Sequence, residues 1–214
     1  MPSWNIHLEA GERLADELKF SGKKRKMFLL GCLLPDINNG YVNRAKVVKP
    51  HSETHFAYNE KSSLNFYARY KDEVDARDPI CLGYLFHLYT DGFFNYEFYR
   101  AMDLAGEHSE LSVDERLKIK HHDFWIYDGN FEHNLGIQGD VELTKELAEA
   151  ASKISVVEVT PGEIAEVEGI LVANELNDDL IGQEYTFFTE EKFDWLLDEM
   201  IKSFSKEYLE RKNA

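Results

Sequence analysis

A long apolar segment with two polar side chains in its middle dominates the sequence. Asp78-Pro79 places an N-cap acid before a proline at the first helical position, and the following pattern predicts one helix to about Leu104. His87 and Asp91 stand four residues apart in this segment, so a helix puts both on one face. Because apolar residues surround them, the helix is expected to be buried, and both polar groups then need partners.

Apolar spacing and helix-start motifs predict helices along the rest of the chain. Residues 112–115 and 160–163 fit capping boxes. The β-branched run 154–159 is compatible with a short strand, although one strand makes no sheet, and turns are expected at 35–40 and 127–130. The expected helices cover residues 5–20, 26–33, 58–73, 78–104, 140–152 and 190–212, with two more beginning at the capping boxes. We therefore expect an all-α fold, with residues 1–214 forming a single helical domain.

Charge is spread unevenly along the chain. The 214 residues include 40 acids and 24 bases, which gives a net charge of −16. Residues 137–214 hold 19 acids and 7 bases, whereas residues 1–136 hold 21 acids, 17 bases and all eight histidines. We expect residues 1–136 to carry the chemistry and residues 137–214 to form an acidic helical covering. The acidity disfavours long nucleic acids and anionic membranes as partners.

The sequence also bears on the location of the protein. No apolar run approaches the roughly 20 residues that a membrane span needs, and the first residues lack a signal-peptide core. Cys32 and Cys81 lie in separate apolar runs, which is typical of buried free thiols. A cytoplasmic protein without integral membrane association is expected, and its oligomeric state is left open.

Further polar side chains occur where a buried helix would make them costly. Asp36 follows the apolar run 28–34, at what would be the C-terminal end of a helix, where a carboxylate is unfavourable unless it is paired or coordinated. His55 stands four residues after His51, and His7 borders the apolar stripe of the first helix. Imidazole and carboxylate ligands without a thiolate suit zinc, manganese or iron. Such an ion activates water for hydrolysis, although a plain His–Asp hydrogen bond would also satisfy the helix pair.

Four motifs follow one another in residues 1–100: Trp4-x2-His7, the run 28–36 ending in Asp36, Thr54-His55-Phe56, and the run 83–91 with His87 and Asp91. Their order resembles the zinc-dependent phospholipase C family. The resemblance implies an all-helical fold, similar to that of the S1/P1-type nucleases, and hydrolysis of a phosphoester by zinc-activated water. It also implies that Asp36, His55, His87 and Asp91 enclose one zinc ion. Asp91 would then bridge toward a second ion near His7, and Asp36 would assist the attacking water.

The number of ions follows from two departures from the family pattern. Where the family has a histidine six residues after the bridging aspartate, this chain has Glu97, and no His-x3-Glu pair follows it. We therefore expect one or two zinc ions as the cofactor, with manganese or iron as the other candidates. The expected substrate is a small phosphoester.

Two alternatives stay open at this stage. His122-Asp123 fits the adjacent pair of an HD-type metal phosphohydrolase, with a ligand from His55 or His87, but it fits an exposed helix end equally well. A non-catalytic helical binding protein that retains a structural metal is the second alternative. His108, His121, His133 and Glu97 are further candidates for the ligand set.

Overall fold

The computed structural model describes residues 3–40, 48–57, 61–106, 110–173 and 183–210. Within these ranges the chain folds into helices joined by turns and irregular segments, without a strand, which confirms the all-α prediction. The helices are α1 (Trp4–Glu17), α2 (Gly22–Gly31), α3 (Leu34–Ile37), α4 (His51–Thr54), α5 (Ser62–Arg69), α6 (Lys71–Asp75), α7 (Pro79–Leu104), α8 (Val113–Asp128), α9 (Val141–Ala151), α10 (Pro161–Ala173) and α11 (Glu190–Phe204), after which a π-helical turn covers Ser205–Leu209.

The predicted helix starts are confirmed. The side chain of Asp78 accepts hydrogen bonds from the backbone N–H groups of Ile80 and Cys81 at the start of α7. Ser112 and Glu115 form a reciprocal capping box at the start of α8. Thr160 and Glu163 bond in the same reciprocal way before α10. Each motif satisfies N–H groups that the first turn of a helix leaves without partners.

Two of the expected elements differ from the structure. The helix expected over residues 58–73 is broken at Tyr70 into α5 and α6, and its first residues, 58–60, lie outside the described ranges. Residues 154–159 form no strand. The side-chain amide of Asn38 donates to the carbonyl of Glu158 (2.7 Å) and accepts from its N–H (2.9 Å). One side chain thus supplies the two backbone hydrogen bonds that a neighbouring strand would provide.

Helix α7 lies at the centre of the protein and contacts α1, α2, α3, α5, α6, α8 and α11. One cluster of buried apolar side chains extends from Trp4 to Tyr208, so the core contains residues from both the histidine-bearing and the acidic portion. Helix α11 of the acidic portion packs on α7 and α1, and the ring of Phe193 on α11 stacks on that of Phe94 on α7. The acidic portion therefore contributes to the core as well as covering it.

The structure can be compared with the predictions for the two cysteines and for membrane-spanning helices. Cys32 and Cys81 are free and buried, as predicted. Burial raises the pKa of the Cys32 thiol well above its usual value, so it stays protonated. None of the helices in the described ranges combines the length and the apolar character needed to cross a membrane.

Candidate metal centre

Helix α7 supplies the two residues at the centre of the candidate site. His87 and Asp91 are buried one turn apart, and His87 Nε2 lies 3.6 Å from Asp91 Oδ2. The other ring nitrogen of His87, Nδ1, is 2.7 Å from the carbonyl oxygen of Cys32, at the end of α2. A carbonyl only accepts, so Nδ1 carries a proton and Nε2 is the nitrogen that faces Asp91.

Asp36 reaches the same place from α3. Its Oδ1 is 3.5 Å from His55 Nε2, and its Oδ2 is 3.9 Å from His87 Nε2. The expectation that Asp36 ends an apolar helix was wrong. Helix α2 stops at Gly31 and the chain begins a new helical turn at Leu34-Pro35, which puts Asp36 in the first turn of α3. This one-turn helix leaves Asp36 buried beside the histidines, and the Asn39 amide donates to its Oδ1 (2.8 Å).

The short helix α4 carries the next histidine. The i,i+4 spacing of His51 and His55 stacks their rings, with centroids 3.7 Å apart. His55 Nδ1 lies 2.9 Å from Thr54 Oγ1, which also lies 3.4 Å from the carbonyl of His51. Because that carbonyl can only accept, we assign the hydroxyl proton to it and the Nδ1 proton to His55. The hydroxyl of Tyr84 on α7 donates to the carbonyl of Thr54 and ties α4 to the core.

Helix α1 adds the last member. His7 is fully buried and its ring stacks on that of His87, with centroids 3.8 Å apart and an interplanar angle of 11°. Its Nε2 lies 3.4 Å from Asp91 Oδ1. The structure therefore brings together the five residues that the resemblance implies as metal ligands: His7, Asp36, His55, His87 and Asp91.

The five side chains form two overlapping groups that could hold a metal ion. Ligand atoms within 4.8 Å of one another come from His7, Asp36 and His87 in one group, and from His55, His87 and Asp91 in the other. The Asp91 carboxylate faces both sides, because Oδ1 points to His7 while Oδ2 lies 3.4 Å from His55 Nε2.

Hydrogen bonding inside the protein does not satisfy this cluster. Both ring nitrogens of His7 and both carboxylate oxygens of Asp91 are buried without a well-oriented hydrogen bond from the described residues. The Nε2 atoms of His55 and His87 lie 3.4 Å apart, and on our assignment both carry lone pairs when neutral. A proton or a metal cation between them relieves that contact. Unsatisfied buried polar groups are costly, so nitrogen and oxygen donors arranged in this way fit a divalent cation.

The ionisable groups of the cluster shift one another's pKa values. Burial and the neighbouring His87 lower the pKa of His7 to about 4, so His7 is neutral at pH 7. Burial also lowers the pKa of His87, but the charges of Asp36 and Asp91 outweigh it and raise that pKa above its usual value. Burial favours the neutral acid of Asp91, yet His87 and the other imidazoles hold the pKa of Asp91 well below its usual range. Without metal and below pH 6.5, the cluster thus contains an ionised Asp91 carboxylate beside a protonated His87 imidazole.

The His122-Asp123 pair is not part of this cluster. Asp123 is fully buried and accepts from three successive backbone N–H groups, those of Thr186 (2.7 Å), Phe187 (2.8 Å) and Phe188 (2.8 Å). His122 Nε2 contacts Gln183 Oε1 at 3.1 Å. This geometry gives Asp123 a structural task, because its carboxylate joins α8 to the segment before α11.

The remaining candidate ligands also have other contacts. His133 Nε2 lies 2.9 Å from Glu9 Oε2, Glu97 pairs with Arg100, and the His121 ring stacks on Trp125. His108 lies outside the described residues. None of these joins a candidate metal group among the described residues.

Asp123→Asn is expected to destabilise the protein by about 2 to 3 kcal/mol, because the amide NH2 group would face backbone N–H groups that now donate to a carboxylate oxygen. Urea unfolding measures the loss. His122→Ala, at the neighbouring half-exposed residue, should cost less than about 1 kcal/mol. Metal binding should be unchanged in both variants, and a loss of metal in Asp123→Asn would instead favour the HD-type alternative.

The sequence did not identify the groups that orient the candidate ligands. The Cys32 carbonyl, the Thr54 hydroxyl and the Asn39 amide hold His87, His55 and Asp36. Thr54 belongs to the third motif and Asn39 follows the second, so the sequence offers a signal for both, but a backbone carbonyl leaves no sequence signal.

Comparison of the chain with protein-family models, curated proteins and solved structures finds no match. The resemblance to the zinc-dependent phospholipase C family stays a prediction.

Proposed function

We propose that the cluster holds one or two divalent metal ions, zinc in first place, and that the protein is a metal-dependent phosphoester hydrolase. The observation that carries this proposal is the convergence of three imidazoles and two carboxylates, all buried, with Asp91 unsatisfied at their centre. Zinc at such ligands supplies a Lewis acid and lowers the pKa of bound water toward about 7. Manganese and iron accept the same donor types.

The two oxygens of Asp91 support a bridging position. Oδ1 lies near His7, whereas Oδ2 lies near His55 and His87. A carboxylate that serves two sets of imidazoles is the arrangement that two-metal hydrolytic sites use. If two ions bind, His55 and His87 would hold one and His7 the second, with Asp91 within reach of both and Asp36 within reach of His55 and His87.

Asp36 is the candidate base. Its Oδ1 accepts from Asn39, which fixes the orientation of the carboxylate while leaving lone pairs directed toward His55 and His87. A fixed carboxylate beside the reacting centre is placed to orient a water and take its proton. The hydrogen bonds from Cys32 and Thr54 give His87 and His55 their ligand tautomers, as outer contacts do in metal sites.

The charge distribution is compatible with an anionic substrate. Most of the net charge of −16 belongs to residues 137–214, and two of the remaining acids are Asp36 and Asp91. Divalent cations would neutralise those two carboxylates, so the site would attract a phosphoryl group.

The metal is tested by elemental analysis of protein purified without added metal, followed by titration of the metal-free protein with zinc, manganese and iron(II). We expect one or two equivalents of zinc to bind. His87→Ala should lose the ions, whereas His133→Ala, which removes a histidine outside the cluster, should keep them. A wild-type protein that binds no metal at micromolar concentrations contradicts the proposal.

The hydrolase is tested with the zinc-loaded protein against phosphomonoesters and phosphodiesters. Asp36→Asn should lower kcat by about 100-fold or more, the usual contribution of general base catalysis. If zinc binds but every ester stays intact, the protein is the non-catalytic alternative with a structural metal.

A further inference from the structure

Lys120 on α8 is a buried cation for which the fold gives no obvious reason. It is 5% exposed, whereas Lys118, two residues earlier, is exposed. Its Nζ donates to Asn95 Oδ1 (2.8 Å) and lies 5.1 Å from the centre of the Tyr99 ring. Among the described residues no carboxylate lies within ion-pair distance of Nζ. Burying a charge without an opposite charge is costly, so Lys120 is expected to serve a ligand.

The position of Asn95 connects Lys120 to the metal cluster. Asp91 and Asn95 stand four residues apart on α7, so their side chains lie on neighbouring turns of one face. Since Nζ bonds to Asn95, the ammonium lies about one helical turn beyond Asp91. The two charges sense each other: burial lowers the pKa of Lys120, and the negative charge of Asp91 opposes that change.

The described residues leave the backbone beside Asp91 uncovered at Gly92, in the middle of α7. None of their atoms outside this helix lies within 4 Å of the position that a Cβ on Gly92 would take. A glycine inside a helix costs about 1 kcal/mol relative to alanine. Successive helical positions are rotated by about 100°, so Gly92 lies on the side of Asp91 toward Asn95 and next to the exposed Tyr96. A ligand can therefore approach the strip between Asp91 and Lys120 over the bare backbone at Gly92.

We propose that Lys120 binds a phosphoryl oxygen of the substrate while the metal cluster binds another, which makes it a specificity-determining residue for phosphorylated ligands. This inference rests on the proposed metal site. A phosphoryl group offers several strong acceptor oxygens in different directions, so it spans neighbouring positions. The Lys120 ammonium has three donors, and among the described residues a hydrogen bond to Asn95 uses one of them. Asn95 and Tyr99 hold the ammonium in place before the ligand arrives.

Binding of inorganic phosphate to the zinc-loaded protein, measured by calorimetry together with the zinc content, tests the proposal. Lys120→Met keeps the buried stem but removes the charge, and it should raise the Kd for phosphate at least tenfold with unchanged zinc content, as expected for loss of a charge-assisted hydrogen bond. Lys118→Met removes an equal charge from the exposed part of the same helix and should change that Kd less than twofold. Gly92→Leu should weaken phosphate binding by filling the approach, again without loss of zinc.

A second measurement separates a ligand-binding lysine from a structural one. In the metal-free protein, the thermal midpoint of Lys120→Met should equal or exceed that of the wild type, because the variant no longer buries an uncompensated charge. A fall of several degrees shows that Lys120 is structural and overturns the proposal. If Lys120→Met does not fold, Lys120→Arg takes its place. It keeps the charge and should bind phosphate within about threefold of the wild type, and a folded Lys120→Arg without phosphate affinity overturns the proposal.

Failure of this inference is distinct from failure of the metal site. Equal phosphate affinity in Lys120→Met and the wild type, with zinc present in both, overturns the role of Lys120 and leaves the metal site standing. The same holds if the zinc-loaded wild type does not bind phosphate at millimolar concentrations. A wild type without zinc refutes the proposed function and the role of Lys120 together.

Discussion

Asp91→Asn is expected to weaken zinc binding by at least about 100-fold, or about 2.7 kcal/mol. The two oxygens of Asp91 lie 3.4 to 3.6 Å from the Nε2 atoms of three histidines. An amide of the same shape is neutral and offers only one acceptor, so it cannot balance the charge of a cation or serve both sides of the cluster. Titration of the metal-free proteins with zinc against a competing chelator measures the difference.

The pH dependence of zinc binding follows from the pKa of His87. Because Asp36 and Asp91 raise this pKa above its usual value of 6.5, His87 holds a proton at pH 6 in the metal-free protein. A metal ion must displace that proton, so the affinity should rise as the pH increases through the raised pKa of His87, and zinc binding should release a proton. In Asp91→Asn this proton release should be smaller near neutral pH, because one of the two carboxylates that raise the pKa is gone.

The same variant affects the stability of the metal-free protein. The low pKa of Asp91 contributes stability above its unfolded value of 3.8, and this stability is lost as the pH falls through the folded pKa. The raised pKa of His87 contributes stability below 6.5, which is lost as the pH rises through its folded pKa. Asp91→Asn should therefore cost most between about pH 4 and pH 6.5. Urea unfolding of metal-free protein at several pH values measures this window.

Asp123→Asn is the matched control for Asp91→Asn. Asp123 is an equally buried carboxylate on another helix, and its oxygens are occupied by backbone N–H groups. This variant should lose stability and keep zinc affinity. If Asp91→Asn retains wild-type zinc affinity, Asp91 is not a ligand and the bridging geometry does not describe the bound state.

The residues of the candidate site were predictable because each of them stands in a local sequence context that is unusual for a polar side chain. His87 and Asp91 are the polar pair of an apolar helix, and the i,i+4 rule places them together without knowledge of the fold. Asp36 was predicted as a site residue because a carboxylate is unfavourable at the C-terminal end of an apolar helix, but it lies in the first turn of α3. The sequence pattern did not indicate the new helical turn at Leu34, which comes from Pro35 at a helix start and not from apolar periodicity.

Other features depend on distant contacts and could not be predicted from local patterns. The break at Tyr70 between α5 and α6 occurs inside one amphipathic pattern, and the Tyr70 hydroxyl accepts a hydrogen bond from the N–H of Ser155 (2.9 Å). The sequence next to Asp123 indicates only its neighbour His122, and the pair therefore resembles a metal-binding doublet. The backbone groups that actually bond to Asp123 lie more than 60 residues away in sequence. Local spacing predicts which side chains share a helix face, but it does not predict which backbone groups will reach them.

The crossing of α2 and α7 is also not predictable from local patterns, although it positions the candidate metal site. Gly31 and Gly83 meet where the two helices cross. A Cβ on Gly83 would lie 2.2 Å from the carbonyl oxygen of Phe28, and one on Gly31 would lie 2.5 Å from that of Ile80. Both obstacles are backbone atoms, which cannot move aside as a side chain can. One turn after Gly83, His87 bonds to the carbonyl of Cys32 on the same side.

Gly83→Ala is therefore expected to destabilise the protein by about 3 kcal/mol, the upper end of overpacking costs, despite the better helix propensity of alanine. Thermal and urea unfolding measure this loss. Two matched variants grade the effect. In Gly11→Ala the new methyl group meets only side-chain atoms of Cys32 and Leu29 at 3.1 Å, and this variant should cost about 1 kcal/mol. In Gly169→Ala, in α10, the methyl group meets no atom of the described residues, and this variant should stabilise the protein by about 0.5 to 1 kcal/mol.

Because separating the helices pulls Cys32 away from His87, Gly83→Ala should also weaken zinc binding by about 10- to 100-fold, as loss of an outer hydrogen bond does. Gly169→Ala should bind zinc like the wild type, and a Gly83→Ala protein with full stability would mean that the helices do not cross this closely.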